Sequence, residues 1–229
     1  MNNEHISCAE CKARTLSIFH VCSMDQTDKM DQVKECMMLK KGQEIFSEGR
    51  RANGIFCINH GSIKLVKLGD GGKEKIVRLA APGDLIGYKA VVTNSSYSAS
   101  AVAMEDSKMC FIPRGDFMDL LGSNERLSQE FTQLLCRNIS EYESGMVDIA
   151  YKSVRKRLAE ALLLLQEKFH LQEQISISRN DLATLIGTAK ETTIRLLSEF
   201  KDSHIIETKG RSIVIINKDA LIDISGLLD

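Results

Sequence analysis

The segment from Ser178 to Lys201 constrains the fold of this chain more than any other stretch of its sequence. Apolar residues recur there at helical spacing in two short runs, and a tight turn at Gly187 separates the runs. Each run therefore predicts a short helix that buries one face and exposes the other. The residues expected to be buried are Leu182, Leu185 and Ile186 in the first helix and Ile194, Leu197 and Phe200 in the second. Two helices joined in this way are typical of a helix-turn-helix.

Each of the two helices is expected to begin at a capped N-terminus. Ser178 stands three residues before Asp181, and Thr188 stands three residues before Glu191. At this spacing a hydroxyl accepts a hydrogen bond from an unpaired backbone N–H group, and the acid bonds back to the start of the helix. The sequence thus predicts a capping box at the start of both helices.

The outer face of the second helix is predicted to meet DNA. It carries long polar side chains in its first two turns, where a recognition helix reaches base edges in the major groove. Residues 205–208 and 212–216 predict a hairpin whose turn would form a wing against phosphates, although solvated turn residues are the alternative there. The predicted contacts to double-stranded DNA are Ser178, Arg179, Thr188, Lys190, Glu191, Thr192, Thr193, Arg195, Lys209 and Arg211.

Size, charge and cysteine content restrict the class of protein. The 229 residues suffice for two domains with their own cores. The formal net charge is −1, but residues 151–213 hold 11 Lys and Arg against 8 Asp and Glu, so positive charge accompanies the helix-turn-helix. No apolar run approaches the ~18 residues of a membrane span, and no export signal is evident, which predicts a cytoplasmic protein. Its seven cysteines are then expected to be reduced thiols or metal ligands.

Four segments follow one another along the chain. Residues 1–26 carry cysteines and little periodic pattern. Residues 27–123 show short strand patterns between closely spaced glycines, which predict a β-roll. Residues 124–151 predict one long helix, and residues 152–229 predict a further helix and the winged helix-turn-helix. The predicted fold class is therefore α+β, with a jelly-roll sensor domain, a long dimerisation helix and a DNA-binding domain.

The long helix carries an apolar row at spacings of four, three, four and three residues. This is the repeat of a coiled-coil seam, and a helix-turn-helix protein usually reads two half-sites as a dimer. Packing of the same helix on its own β-roll is the alternative. The sequence favours a homodimer whose seam consists of Leu135, Ile139, Tyr142, Met146 and Ile149.

The order of these parts resembles the CRP/FNR family of bacterial transcription regulators. The resemblance rests on residues 39–49, 58–64 and 81–87 together with the helix-turn-helix, and it covers nearly the whole chain from residue 27 onward. It implies a dimeric regulator that binds a pseudo-palindromic operator and acts with RNA polymerase. The family reads bases with a Glu followed four residues later by an Arg, and this pattern falls here on Glu191 and Arg195. Such an Arg can fork onto guanine, and such a Glu can accept from cytosine.

The residues that match the family's cyclic-nucleotide site argue against cyclic AMP. Members that bind it resemble this chain around residues 83–87 and then require a Glu for the ribose and an Arg-Ser pair for the phosphate. Tyr88 stands where the Glu would be, and Tyr97 and Ser98 stand where the Arg-Ser pair would be. A buried phosphate without a cation costs several kcal/mol. The residues that would line an effector pocket in this chain are Gly87, Tyr88, Tyr97 and Ser98.

A redox-sensing iron–sulfur cluster is the second candidate for the signal. Cys8 and Cys11 form a C-x-x-C pair, and Cys110 matches the position of a cluster ligand in the FNR branch of the family. That branch has a third N-terminal cysteine where this chain has Ser17, so Cys22 is the substitute. The predicted ligands of a 4Fe-4S cluster are therefore Cys8, Cys11, Cys22 and Cys110.

Other interpretations of these residues stay open. Cys110 would equally serve as a small buried hydrophobe, and Cys36, Cys57 and Cys136 are expected to pack in the interior. A haem with His5 or His20 as its axial ligand, an unknown small effector and a direct thiol switch are further alternatives.

A different class of function, a thiol oxidoreductase that uses Cys8 and Cys11, is disfavoured. Redox C-x-x-C motifs usually open a helix in a βαβ setting, and nothing near residues 8–11 predicts one. The sequence also lacks a phosphate-binding loop and a zinc-protease motif. We therefore expect a regulator and not an enzyme.

Overall fold

The structure of the protein is a computed structural model that describes residues 7–169 and 174–226. The chain forms two compact units, of which one comprises residues 1–72 and 77–139 and the other residues 73–76 and 140–229. In the described ranges, no helix is at once long enough and apolar enough to cross a membrane.

Two short helices and a helical turn precede the β-roll in the first unit. Helix α1 is Lys12–Leu16, a 3-10 turn covers Ile18–Val21, and helix α2 is Met24–Val33. A complete capping box opens α2, because the Ser23 hydroxyl accepts from the Gln26 N–H and the Gln26 side chain accepts from the Ser23 N–H. The sequence showed little periodicity here because α1 and the 3-10 turn are short and α2 contains only three apolar residues, Met24, Met30 and Val33. The capping spacing was the signal available.

The β-roll consists of two four-stranded sheets, with the strand orders β1-β8-β3-β6 and β2-β7-β4-β5. Its strands are β1 (Glu35–Leu39), β2 (Glu44–Phe46), β3 (Gly54–His60), β4 (Ile63–Leu68), β5 (Glu74–Ala80), β6 (Leu85–Ile86), β7 (Ser100–Ala103) and β8 (Ser107–Pro113). Apolar residues of both sheets form one core, in which Ile55, Ile58, Ile63, Leu85 and Met109 are fully buried. The predicted β-roll is therefore confirmed.

Gly87 allows the short helix α3 to pack against this core. Helix α3 is Tyr88–Val92, and Gly87 precedes it with a φ of +84°, a left-handed conformation that L side chains rarely adopt. A Cβ at this position would lie 3.1 Å from Cε1 of Tyr97, so a larger residue would also crowd the core. Both the conformation and the close packing favour glycine.

Two further helices follow the strands. Helix α4 is Arg114–Ser123, and helix α5 is Glu125–Tyr151, which confirms the predicted long helix. The first part of α5 belongs to the core of the β-roll, since Leu127 and Phe131 are buried there. The ring of Phe131 meets the ring of Tyr88 edge-on, with a centroid distance of 5.7 Å.

The second unit is a winged helix-turn-helix, as predicted. Its elements are α6 (Val154–Lys168), β9 (Ile175–Ser176), α7 (Arg179–Ile186), α8 (Lys190–Asp202), β10 (Ile206–Lys209), β11 (Ser212–Ile215) and α9 (Lys218–Ser225). The three strands form a sheet in the order β10-β11-β9. Leu158, Leu162, Leu182 and Phe200 are fully buried in this unit. Four of the six residues predicted to be buried in α7 and α8 are buried, and Leu185 is partly buried.

Gly187 makes the turn between α7 and α8. It has a φ of +68°, and its N–H donates to the carbonyl of Ala183 at the end of α7. A left-handed residue directly after a helix pairs the last carbonyls and redirects the chain. Glycine adopts this conformation without a steric cost.

We expect Gly187→Ala to lower the free energy of unfolding by about 1–2 kcal/mol, because a Cβ in the left-handed conformation approaches a carbonyl oxygen too closely. Thermal or urea unfolding of the full chain measures this. Gly122→Ala in α4 is the control, since a Cβ at Gly122 meets nothing within 4 Å. That substitution should raise stability by about 0.5–1 kcal/mol. Equal effects of the two substitutions would contradict the role given to Gly187.

Candidate DNA interface and signal site

Helix α8 exposes a polar face at its start. Lys190, Glu191 and Arg195 are exposed, with 66% of the Arg195 side chain accessible. Arg195 Nη1 lies 2.5 Å from Glu199 Oε1, and Arg155 Nη1 lies 3.3 Å from Oε2 of the same carboxylate. Glu199 therefore restrains the Arg195 guanidinium while most of that side chain remains accessible to a ligand.

Two residues of α8 lie on faces other than those predicted. Thr193, expected to contact DNA, is fully buried, and its hydroxyl donates to a backbone carbonyl one turn earlier. Ile194, expected to be buried, is 44% exposed. Thr193, Leu197 and Phe200 share the buried face at helical spacing, and Ile194 is rotated about 100° from Thr193. The apolar character of Ile194 alone was therefore a poor guide to its burial.

The two helix starts differ from each other. Ser178 caps α7 as predicted, because its hydroxyl accepts from the Asp181 N–H at 2.9 Å and donates to the Asp181 carboxylate at 2.6 Å. The N-cap of α8 is Ala189, which makes no side-chain cap, so the predicted capping by Thr188 is wrong. The Thr188 N–H donates to the carbonyl of Ala183, which makes Thr188 part of the turn that ends α7.

Arg179 ties the wing to the start of α7. Its Nη2 donates to the carbonyl of Gly210 at 3.0 Å, at the turn between β10 and β11. Its Nη1 is buried and has no hydrogen-bond partner among the described residues, and desolvation lowers the pKa of the guanidinium. Lys209 and Arg211, on either side of Gly210, are exposed. Arg179 thus positions the turn, and its two neighbours carry the accessible charge.

Helix α5 carries a row of exposed apolar side chains in its second half. Five large residues are more than half exposed there: Ile139, Met146, Val147, Ile149 and Tyr151. Three of these belong to the predicted seam. Of the other two seam residues, Tyr142 is partly buried and Leu135 packs partly against the core of the β-roll. Apolar surface concentrated along one helix in this way typically marks an interface.

The residue at the expected phosphate position is part of the core. Tyr97 is 7% exposed, and its ring stacks on Phe46 with a centroid distance of 3.9 Å. Its hydroxyl donates to the carbonyl of Gly54 at 3.1 Å. Ser98 beside it is exposed. Tyr97 therefore contributes packing where a bound cyclic phosphate would require a cation.

Tyr88 connects the β-roll to α5 through buried hydrogen bonds. The residue is 2% exposed, and its hydroxyl oxygen accepts from Asn138 Nδ2 at 2.9 Å and from Arg78 Nη1 at 3.2 Å. Asn138 lies on α5 and is 6% exposed. Arg78, on β5, also pairs with Asp84 across 3.4 Å. Two donors from different elements thus meet at one buried oxygen atom.

Lys34 lies among the cysteines of the first unit. Its ammonium is 3.1 Å from Cys8 Sγ and 2.6 Å from Asp31 Oδ1, and its side chain is 2% exposed. Desolvation opposes the charge, but hydrogen bonds to Asp31 and Cys8 raise the pKa of Lys34 overall. Burial raises the pKa of Cys8, and the neighbouring Lys34 opposes that rise. A neighbouring cation favours a thiolate, but burial outweighs Lys34 here, so the pKa of Cys8 is raised overall.

The four candidate cluster ligands lie in one neighbourhood without converging on one point. Burial raises the pKa of Cys22 to about 11, and Cys8 is near enough to contribute to the rise. Cys11 Sγ accepts from an asparagine amide on β3, and Cys110 Sγ lies 3.1 Å from Cys36 Sγ. Within residues 7–169 and 174–226, no three His, Cys, Asp or Glu side chains are arranged to hold a metal ion. The thiols supply donor chemistry suited to iron–sulfur clusters, but not a closed ligand set.

Three cysteines lie side by side across neighbouring strands. Cys36 on β1 is directly opposite Cys110 on β8, and Cys110 is directly opposite Cys57 on β3. Residues opposite one another project to the same face of a sheet, so the three form a row. Cys36 is buried, as expected, and Cys57 is partly buried. Burial raises the pKa of Cys57 to about 12.

The sequence analysis also singled out Cys136, His20 and His5. Cys136, expected in the interior, is exposed, because it lies on the solvent face of α5. His20 is exposed, and its Nδ1 lies 2.9 Å from the carbonyl of Ser17. His5 lies outside the described residues.

Family models match both units. The model described as "Cyclic nucleotide-binding domain" matches residues 37–124, and the one described as "Crp-like helix-turn-helix domain" matches residues 156–224. A domain of the first kind followed by a winged helix-turn-helix defines a DNA-binding transcription regulator with an effector-binding domain. These two domains, in this order, are those of a CRP/FNR-type transcription regulator.

Named relatives are similar to the chain over nearly its whole length. The fumarate and nitrate reduction regulatory protein of Vibrio cholerae is 29% identical over 229 residues, which cover 97% of this chain and 91% of the relative. The anaerobic regulatory protein of Haemophilus influenzae is 27% identical, with 96% and 88% covered. The solved structure of FixK2 from Bradyrhizobium japonicum has a TM-score of 0.77 at 22% identity, covering 84% of this chain and 97% of that one. The similarity to the FixK2 structure confirms the fold.

We expect Tyr88→Phe to lower the free energy of unfolding by about 1–3 kcal/mol, because the buried donors on Asn138 and Arg78 lose their shared acceptor. Thermal unfolding measures this. Tyr151→Phe is the matched control, since Tyr151 is 85% exposed and its change should fall within about 0.5 kcal/mol of the original chain. If the two substitutions were indistinguishable, the Tyr88 network would not hold α5 to the β-roll.

Proposed function

We propose that two copies of this chain bind one pseudo-palindromic operator on double-stranded DNA and act there on RNA polymerase. The outer face of α8, with Glu191 and Arg195 exposed on a winged helix-turn-helix, is the observation that carries the proposal. The two recognition helices would enter successive major grooves about 34 Å apart. We assign the segments 1–26, 27–123, 124–151 and 152–229 to cysteine chemistry, sensing, dimerisation and DNA binding, in a protein of the cytoplasm.

Glu191 and Arg195 are proposed to read base edges. They stand four residues apart on α8 and therefore share one face of the helix. Arg195 can donate two hydrogen bonds to guanine, and Glu191 can accept from cytosine. Since α8 makes no side-chain cap, Glu191 is not needed as the partner of a capping hydroxyl. Ile194, exposed beside Arg195, adds an apolar surface that suits the methyl group of thymine.

The remaining contacts are proposed to bind phosphates and to fix the register of α8 on the duplex. Lys209 and Arg211 would reach the backbone from the wing, and Arg179 would hold the wing through Gly210. The full set of these positioning residues is Ser178, Arg179, Thr188, Lys190, Thr192, Lys209 and Arg211. Thr193 is left out because it is fully buried. Phosphate contacts of this kind make affinity fall as salt rises.

The homodimer is proposed to form along the exposed row of α5. Burying this row against a second copy removes it from water, and its spacing is that of a two-stranded coiled coil. The seam residues are Leu135, Ile139, Tyr142, Met146 and Ile149. Asn138, which donates to Tyr88 of the β-roll, is the residue next to Ile139. A change in the β-roll can therefore reach the seam through one hydrogen bond and one step along α5.

We expect Arg195→Ala to lower the affinity for the cognate site by about 1–3 kcal/mol and to relax specificity at one base pair. Competition binding against a cognate duplex and a scrambled duplex measures both effects. Lys218→Ala removes a charge of the same sign from an exposed position outside the proposed contacts, and it should leave the ratio of the two affinities unchanged. An unchanged ratio for Arg195→Ala would refute the assignment of Arg195 as a base reader.

We also propose that the cysteines of the first unit receive a redox signal. A 4Fe-4S cluster would supply oxygen-sensitive iron when bound. The residues that would hold it are Cys8, Cys11, Cys22 and Cys110. Lys34 would offset the negative charge of these thiolates, and Cys110 would have to separate from Cys36. Cyclic AMP is not proposed, because Tyr97 supplies no cation for its phosphate.

Protein purified without air is expected to be brown and to contain iron and acid-labile sulfide, because four cysteines in one neighbourhood can supply the ligands of a cluster. Absorbance spectra and iron analysis measure this, and admission of air should bleach the colour. Cys110→Ser should lose the iron, whereas Cys136→Ser, which changes an exposed thiol, should keep it. A colourless, iron-free original chain would exclude the cluster and leave direct thiol chemistry as the signal.

We infer that the chain is not a thiol oxidoreductase. Cys11 precedes α1, a helix of five residues, and the described chain before it contains no strand of the kind that a βαβ redox motif requires. Reduction of a dithiol substrate, lost on Cys11→Ser, would overturn this inference.

A further inference from the structure

Cys36 and Cys110 bring their sulfur atoms together between neighbouring strands. The two residues are directly opposite one another where β1 pairs with β8, and their Sγ atoms lie 3.1 Å apart. Both side chains are buried, with 9% of each residue exposed. They are 74 positions apart in the sequence, so only the fold brings them together.

The backbone on both sides already meets the requirements of a disulfide. Residues directly opposite in an antiparallel ladder have Cα atoms about 4.5 or 5.5 Å apart. This separation falls within the range of about 4.4–6.8 Å that disulfides span. The sulfurs must approach by only about 1 Å to reach the bond length of about 2.0 Å. Side-chain rotation can supply that movement while β1 and β8 stay paired.

We propose that Cys36 and Cys110 are a redox-active pair that forms a disulfide on exposure to a peroxide. One cysteine loses its proton and its sulfur attacks the peroxide, so that an S–O bond forms, the O–O bond breaks and the leaving hydroxide takes up that proton as water. The second thiolate then attacks that sulfur, so that the S–S bond forms, the S–O bond breaks and a second water leaves. The two thiols lose two electrons and two protons in total, and the peroxide takes up both.

Disulfide formation would change what Cys110 can bind. Cys110 is one of the proposed cluster ligands, and a ligand to iron must be a thiolate. Oxidation would therefore withhold Cys110 from a cluster until a thiol reductant reopens the bond. The inference goes beyond the proposed function, because the reaction requires neither DNA nor iron. Cys57, which is opposite Cys110 on β3, is the competing partner, and the 3.1 Å contact favours Cys36.

A disulfide map of the full chain tests the proposal. Reduced protein is freed of reductant, treated with hydrogen peroxide, blocked with N-ethylmaleimide and digested without reduction. Mass spectrometry should then find the peptide of Cys36 joined to the peptide of Cys110, two hydrogens lighter than their sum. Dithiothreitol should abolish this species.

Matched variants identify the partner. Cys36→Ser should lose the cross-link and leave Cys110 blocked by N-ethylmaleimide, whereas Cys57→Ser should retain it. The original chain and Cys57→Ser suffice if Cys36→Ser does not fold. Cys110 joined to Cys57 or Cys8 would overturn the proposal. Complete blocking of Cys36 and Cys110 by N-ethylmaleimide would also overturn the proposal, if the same peroxide treatment oxidises the exposed Cys136. The disulfide map does not depend on DNA binding, so a failure of the proposed function would not change its result.

Discussion

The hydrogen bonds that meet at the Tyr88 hydroxyl hold α5 in a fixed relation to the β-roll. That oxygen is buried and accepts from Asn138 on α5 and from Arg78 on β5. A buried donor that loses its acceptor costs about 1–3 kcal/mol, so neither element can shift without breaking this network. By the family resemblance, Tyr88 stands where members that bind cyclic AMP have a Glu for the ribose. In this chain the side chain bonds instead to α5, which carries the proposed dimer seam.

Much of the fold could be predicted from local sequence patterns. Closely spaced glycines indicated the β-roll, and the apolar spacing along 178–201 indicated the helix pair, because both signals depend on neighbouring residues only. The face of α8 was harder to predict. Burial of Thr193 and exposure of Ile194 depend on how α8 packs in its own unit, and polarity alone gave the opposite result. Thr188 does not cap α8 because the helix begins one residue later than the capping spacing predicted, with Ala189 as its N-cap.

The candidate signal site could not be predicted in full, because it depends on contacts between residues that are far apart in the sequence. The C-x-x-C pair marked Cys8 and Cys11, but nothing in the sequence placed Lys34 against Cys8, 26 positions away. The Cys36–Cys110 contact follows from the register of β1 and β8, which sequence spacing does not specify. These contacts underlie the two alternative roles proposed for Cys110, as a cluster ligand or as half of a disulfide.

Half-site spacing tests whether two chains joined along α5 present two recognition helices to one face of DNA. The full chain is bound to duplexes whose two half-sites lie one helical turn apart, and then to duplexes with about five further base pairs inserted between them. The insertion moves the second half-site to the opposite side of the duplex. If two chains bind in this way, the affinity should fall to that of a single half-site. Equal affinity at both spacings would contradict this arrangement.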